Sequence, residues 1–187
     1  MVTQINELTL TEFFNLPPDE EDKTYELVDG QAIAKMSPKF FHAKLTYALL
    51  NLLYEYCGSK GEVCPEWAIA LTKKGRDWVP VPDILYISYE RLPIDWNENQ
   101  ACPVPPDLVI EIISPGQRFG EIARKAQNYL SAKVLRVWVI DSEEKSMTIF
   151  YPDTPPQTYT GKEIIQDSLF VGLEFTPEQV FTIAKIP

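Results

Sequence analysis

Pro105-Pro106-Asp107-Leu108-Val109-Ile110-Glu111-Ile112-Ile113-Ser114-Pro115 is the stretch on which the fold turns. Leu108 to Ile113 is apolar on both faces and rich in β-branched residues, which describes a strand buried from both sides at the centre of a sheet. Prolines bound it at either end. One carboxylate, Glu111, interrupts it. An ionised acid inside such a strand costs several kcal/mol unless it is paired or bound to a cation.

Downstream, Phe119, Ile122, Ala123, Ala126, Tyr129 and Leu130 recur at helical spacing, and Leu135–Ile140 reads as a further buried strand with Met147–Tyr151 as its partner. Upstream, 79–88 and 62–71 read as strands joined by a polar turn at 72–77, and a loop rich in Pro and Asn fills 89–106. Tyr25–Met36 reads as two short strands about Asp29-Gly30, a dipeptide suited to the positive φ of a tight hairpin. Ser37-Pro38 reads as the cap and first residue of an amphipathic helix carrying Phe41, Leu45, Ala48, Leu49, Leu52, Leu53 and Tyr56, with Gly58 as its stop. Residues 1–23 are a helical or irregular lead-in, with Thr11-Glu12 as a cap and 17–22 as a solvated turn; 157–187 holds short strands and a final turn near Thr176–Phe181. The expected architecture is α/β (α+β): a mixed central β-sheet flanked by helices, with an N-terminal β-hairpin. One domain is expected over 1–187, with a core at about 24–151 and a C-terminal extension at 152–187.

The composition, 45% hydrophobic and 24% charged, is that of a globular chain. No apolar run is long enough to span a bilayer, and the first ten residues lack a basic start and an apolar signal core. The three cysteines, Cys57, Cys64 and Cys102, have no CxxC spacing, so neither a disulfide framework nor a cysteine zinc site is expected, and a cytoplasmic location fits. The lone histidine, His42, excludes sites built on two or more. The net charge of −10 argues on its face against a nucleic-acid partner, but residues 1–30 hold eight acids and one base and so carry most of it. Residues 35–76 hold seven bases against three acids, and 112–136 five against one.

A second acid, Asp83, follows Pro82 and by strand alternation shares a face with Val81, Leu85 and Ile87, as Glu111 does with Val109 and Ile113. Two carboxylates on neighbouring strands would repel unless a cation bridged them, and oxygen-only ligation suits Mg2+ or Mn2+. The two should converge within one metal's span. Asp107 lies on the face of Glu111 but about 13 Å along the strand at ~3.3 Å per residue, too far for one metal, so it is read as the residue that opens the strand. On the second helix Lys125 borders the apolar face, from which its stem could carry the ammonium to the carboxylates; Arg118 and Glu121 share that border.

Pro82-Asp83, the 105–115 stretch, Arg124–Leu130 and Val137–Asp141, preceded by Tyr25–Gly30 and by Ser37-Pro38 with His42, occur in an order that resembles the putative restriction endonuclease family of the PD-(D/E)XK nuclease superfamily. The resemblance covers roughly 10–180. It implies a restriction-endonuclease-like core and metal-dependent hydrolysis of DNA phosphodiesters, with Asp83 and Glu111 as the two motif acids. The superfamily lysine, two residues past the second acid, is Ile113 here, and the resemblance points to Lys125 on the following helix instead. It also implies a role for Glu26 close to the metal, and a DNA-phosphate or general-base role for His42.

Each residue also has a plainer reading. Asp83 could be a solvated turn acid, Lys125 the i,i+4 surface partner of Glu121, Glu26 a hairpin acid facing water and His42 a packing residue. Lys39, Lys44, Lys73, Lys74, Arg76 and Arg118 are candidate DNA-phosphate contacts or ordinary solubilising charge. Trp67, Trp78 and Trp138 are read as core or interface residues. Two functions follow: a metal-dependent DNA endonuclease, and a catalytically inactive homodimeric DNA- or protein-binding module of the same fold.

Overall fold

The computed structural model describes residues 7–17, 23–57 and 59–187. The turn expected at 17–22 falls almost wholly outside these, as does Gly58 with the helix stop assigned to it. The elements in order are α1 (Leu10–Phe14), β1 (Tyr25–Val28), β2 (Gln31–Ala34), α2 (Phe40–Cys57), β3 (Gly61–Pro65), β4 (Leu71–Lys73), β5 (Arg76–Trp78), β6 (Ile84–Ser88), β7 (Leu108–Ile112), α3 (Phe119–Ser131), β8 (Arg136–Asp141), β9 (Ser146–Phe150), β10 (Gln157–Thr160), β11 (Ile165–Gln166), β12 (Glu174–Phe175) and α4 (Pro177–Ile183).

Six strands form the central sheet in the order β10-β9-β8-β7-β6-β3. Only β7 and β8 run parallel, joined by α3 as their crossover; the other neighbours are antiparallel. The two faces bury separate clusters. α2 sets Leu45, Leu49 and Leu53 against Ile84, Ile110, Trp138 and Ile140, while α3 sets Ile122, Ala126 and Tyr129 against Leu85, Val109, Val137 and Val139. β7 is buried at every position, as its two-faced apolar sequence requires. Trp78 and Trp138 are core residues, and Trp67 packs on Trp96 at 5.5 Å between ring centroids. Residues beyond 151 share this core, through β10 in the sheet and Phe170, Phe175 and Phe181 in the α2-side cluster. No helix among the described residues is long and apolar enough to cross a membrane.

Several boundaries differ from the sequence reading, each for a local reason. The strand expected over 62–71 breaks at Glu66, whose φ is +52°, and resumes as β4. The polar turn at 72–77 is itself a small hairpin, β4–β5, turning through Lys74 and Gly75 with φ of +51° and +80°. The strand expected from 79 begins at Ile84, because Pro80 and Pro82 remove two ladder donors. The first long helix begins at Phe40; 35–39 belongs to neither helix nor strand, with Lys35 N–H donating to Thr24 C=O. The N-terminal cap is Thr9, in a capping box with Glu12. The final turn is a true helix, α4, held by the Thr176–Gln179 capping box with Pro177 at its first position.

Asp107 does open β7: it accepts from Ser88 N–H at 2.7 Å and pairs with Arg91 at 3.1 Å.

Candidate active site

The β6–β7 register pairs Ile84 with Ile110, so one residue further on Asp83 faces Glu111. Residues directly opposite in such a ladder have Cα atoms about 5 Å apart. The ladder stops there, and the next N–H along β7, that of Ile112, donates to Asp83 Oδ2 at 2.7 Å. Asp83 thus serves as the last rung of the sheet while keeping a charge at its end.

Asp83 is 2% exposed and has two side-chain partners besides. His42 Nε2, from the first turn of α2, lies 3.0 Å from Oδ2, and Lys35 Nζ lies 2.9 Å from Oδ1. Burial raises the carboxyl's pKa, but the His42 hydrogen bond, Lys35 and the Ile112 N–H outweigh it, leaving Asp83 below the usual carboxylate value. Lys35 also reaches Glu66 Oε2 at 2.8 Å, across the backbone break that turns Glu66 toward the site.

Glu111 is 5% exposed and is held differently. Its Oε1 accepts from the Tyr129 hydroxyl at 2.7 Å and lies 2.9 Å from Lys125 Nζ, both on α3. Burial pushes its pKa up to about 7; Lys125 opposes the rise, and the charges of Asp83 and Glu26 add to it. Lys125 bridges to Glu26 Oε1 at 2.8 Å, and Glu26 in turn takes the Val81 N–H at 2.9 Å. The N-terminal hairpin is pinned for this by reciprocal Leu27–Val79 backbone bonds. Burial works against the charge on Lys125, but Glu111 and Glu26 prevail and hold it above the ordinary lysine value. It is therefore a fixed cation at neutral pH and not a base.

These groups open on a cavity of about 180 Å3 lined by Glu26, Lys35, His42, Glu66, Asp83, Glu111 and Lys125, among others. Of the residues singled out in the sequence, Asp83, Glu111, Lys125, Glu26 and His42 are brought together here. The six candidate DNA contacts do not line it. Lys73 pairs with Asp29 and Arg76 with Glu7 on the β4–β5 hairpin, Lys74 lies exposed in its turn, and Lys39 and Arg118 are exposed. The Lys44 ammonium lies 6.0 Å from the Phe40 ring centroid.

The sequence reading missed Lys35, Glu66 and the hydroxyl of Tyr129. The one signal for Lys35 is its place after the apolar run Ala32-Ile33-Ala34; Tyr129 reads simply as a core aromatic.

Among the described residues no three His, Cys, Asp or Glu side chains gather as a ready-made metal cage. Two acids suffice for Mg2+ or Mn2+, which keep most of their shell as water and substrate oxygens. The donor chemistry fits: Asp83 and Glu111 are oxygen ligands on adjacent chain segments, and both contacts to Glu111 fall on one oxygen.

Glu111 should also leave a mark on metal-free stability. Its folded pKa lies above its ordinary 4.5, so between about pH 4.5 and 7 the folded chain holds a proton that the unfolded chain has released. Its contribution to stability is therefore greatest below pH 4.5 and falls as pH rises to 7. Denaturant unfolding across that window should show Glu111→Gln with a flatter pH profile than the parent; identical profiles would remove Glu111 as the source.

The sequence matches the family Uma2, described as "Putative restriction endonuclease", over residues 10–183. Among solved structures, a protein from Anabaena variabilis ATCC 29413 described as a putative nuclease superposes with a TM-score of 0.81 at 22% identity, covering 95% of this chain and 99% of that one. At that identity the likeness establishes the shared fold, which is restriction-endonuclease-like. No curated protein matches. With the family match running through nearly every element described above, the chain belongs to the Uma2 putative restriction endonuclease family.

Proposed function

We propose that the chain is a metal-dependent endonuclease that hydrolyses DNA phosphodiester bonds at the cavity between β6, β7, α2 and α3. The observation that carries this reading is the convergence of Asp83, Glu111 and Lys125 from three separate segments on one small opening. Asp83 and Glu111 would hold Mg2+ or Mn2+, which supplies an activated water and a counter-charge for the phosphate when bound. Lys125, kept protonated by Glu111 and Glu26, stabilises negative charge on the phosphoryl oxygens as water adds and the bond to the departing oxygen breaks. Glu26, His42 and Tyr129 are positioning residues: they hold Lys125, Asp83 and Glu111 respectively. Lys35 shields Asp83 in the metal-free protein and has to yield part of that contact when a cation arrives.

A second reading, a binding module without catalysis, is favoured by Ile113 in the position of the superfamily lysine and by the net charge of −10. Incubation of supercoiled plasmid with Mg2+ or Mn2+ separates the two. The nuclease reading expects nicked and linear products that EDTA suppresses, together with a metal-dependent rise in Tm. Intact duplex, nicked, branched and single-stranded DNA after incubation with either metal would overturn it in favour of the binding module.

A further inference from the structure

Two exposed aromatic rings stand beside the acidic cavity. Phe40 is 72% exposed and Phe41 42%, at the start of α2, with ring centroids 5.9 Å apart. They form one wall of a separate cavity of about 480 Å3, whose other apolar lining includes Ile113 and Pro115. That volume lies within the ~300–1,000 Å3 of pockets that take small organic groups.

Two observations say what belongs in it. His42 lines this cavity and also the acidic one, where it holds Asp83, so the two share a wall. A group seated against Phe40 and Phe41 would be the immediate neighbour of one held at Asp83. The second is charge. Lys39 and Lys145 line the opening, where Glu143 is the one acidic side chain in the lining, and outside that lining the Lys44 ammonium lies beside Phe40. In a chain of net charge −10 that local excess of bases suits a polyanion with a flat apolar part.

We propose that the Phe40–Phe41 cavity receives an unstacked nucleobase of the strand whose phosphate lies at the acidic site, so that the preferred substrate is single-stranded or locally unpaired DNA. The inference rests on the nuclease reading and adds the substrate class to it. A base inside a regular duplex is stacked on both faces and cannot enter a side pocket, whereas an unpaired one can lay its ring on Phe40 while Lys39 and Lys145 take the flanking phosphates.

The test compares binding of a short labelled single strand with that of an abasic strand of the same length, with calcium in place of magnesium so that cleavage does not intervene. The wild-type chain should bind the base-bearing strand at least ~tenfold more tightly. Phe40→Ala with Phe41→Ala should erase that difference and leave the abasic affinity unchanged, and Phe40→Leu with Phe41→Leu should erase it too, since leucine is apolar but does not stack. Phe40→Tyr with Phe41→Tyr should keep it. Equal wild-type affinity for the two strands, or full affinity in the leucine pair, would overturn the proposal. So would a sedimentation shift from dimer to monomer in the alanine pair with DNA affinity intact, which would assign the cavity to a second copy of the chain. Cleavage assays keep the two readings apart. Plasmid nicking that is indifferent to the alanine pair would end the stacking proposal alone, and base-dependent binding without any cleavage would end the nuclease reading alone.

Discussion

Lys125→Ala should abolish cleavage and at the same time make the metal-free protein strongly unstable, while enlarging its response to a divalent cation. The Lys125 ammonium is 2.8 Å from Glu26 and 2.9 Å from Glu111, with side-chain exposures of 20%, 14% and 6%. Its removal leaves two largely buried carboxylates without the cation that pairs them. Breaking a buried ion pair from one side typically costs ~3–5 kcal/mol. A cation bound at Asp83 and Glu111 would return positive charge to the same place, so added Mg2+ or Mn2+ should raise Tm more in the variant than in the parent. Activity should not return with stability, because the ammonium proposed to stabilise the phosphoryl charge is gone. Lys125→Arg should recover part of the stability and little of the activity, since the planar guanidinium replaces a point charge held between two oxygens. Calorimetry with and without metal, beside a nicking assay, reads all three. An alanine variant with unchanged cleavage would remove Lys125 from the chemistry.

The two carboxylates should respond in opposite directions to loss of charge. At pH 8, Glu111→Gln is expected to match or exceed the parent in metal-free stability, because burial raises the Glu111 pKa to about 7 and ionising it there is unfavourable. Asp83→Asn is expected to lose ~2–4 kcal/mol, because Asp83 lies below its ordinary pKa and its charge anchors His42, Lys35 and the Ile112 N–H. For Asp83 the sign is the usual one: its stabilisation is present above about pH 4 and is lost as pH falls. Both variants should lose the metal-induced rise in Tm, since each removes a proposed ligand. Urea unfolding of the pair in EDTA decides the matter; strong destabilisation by Glu111→Gln would make Glu111 a structural acid.

Much of the fold follows from local pattern. The two-faced apolar run at 108–113 fits only an interior strand, the 3.6-residue period of 119–130 fits only a covering helix, and Asp29-Gly30 turns the hairpin at φ of +49° and +77°. Glu111 was visible for the same reason: an acid in an otherwise apolar strand has no ordinary account, and Lys125 stood at the border of its helix. Chain direction and strand limits were less legible where prolines silently remove donors, as before Ile84, or where the backbone adopts positive φ at a residue such as Glu66 that does not advertise it.

What the amino-acid sequence determined by itself is the set of elements and the two misplaced acids, because strand alternation and helical period act over a few residues. What only the tertiary structure decided is the pairing of charges around those acids. Lys125 meets Glu26 across 99 positions and Lys35 meets Asp83 across 48, and Tyr129 turns from a core ring into the hydrogen-bond donor of Glu111. Such contacts depend on the β6–β7 register, on the docking of the hairpin through Leu27 and Val79, and on the crossover of α3 over the sheet. Electrostatic neighbours are set by distance in space, and for residues this far apart along the chain no local pattern encodes that distance.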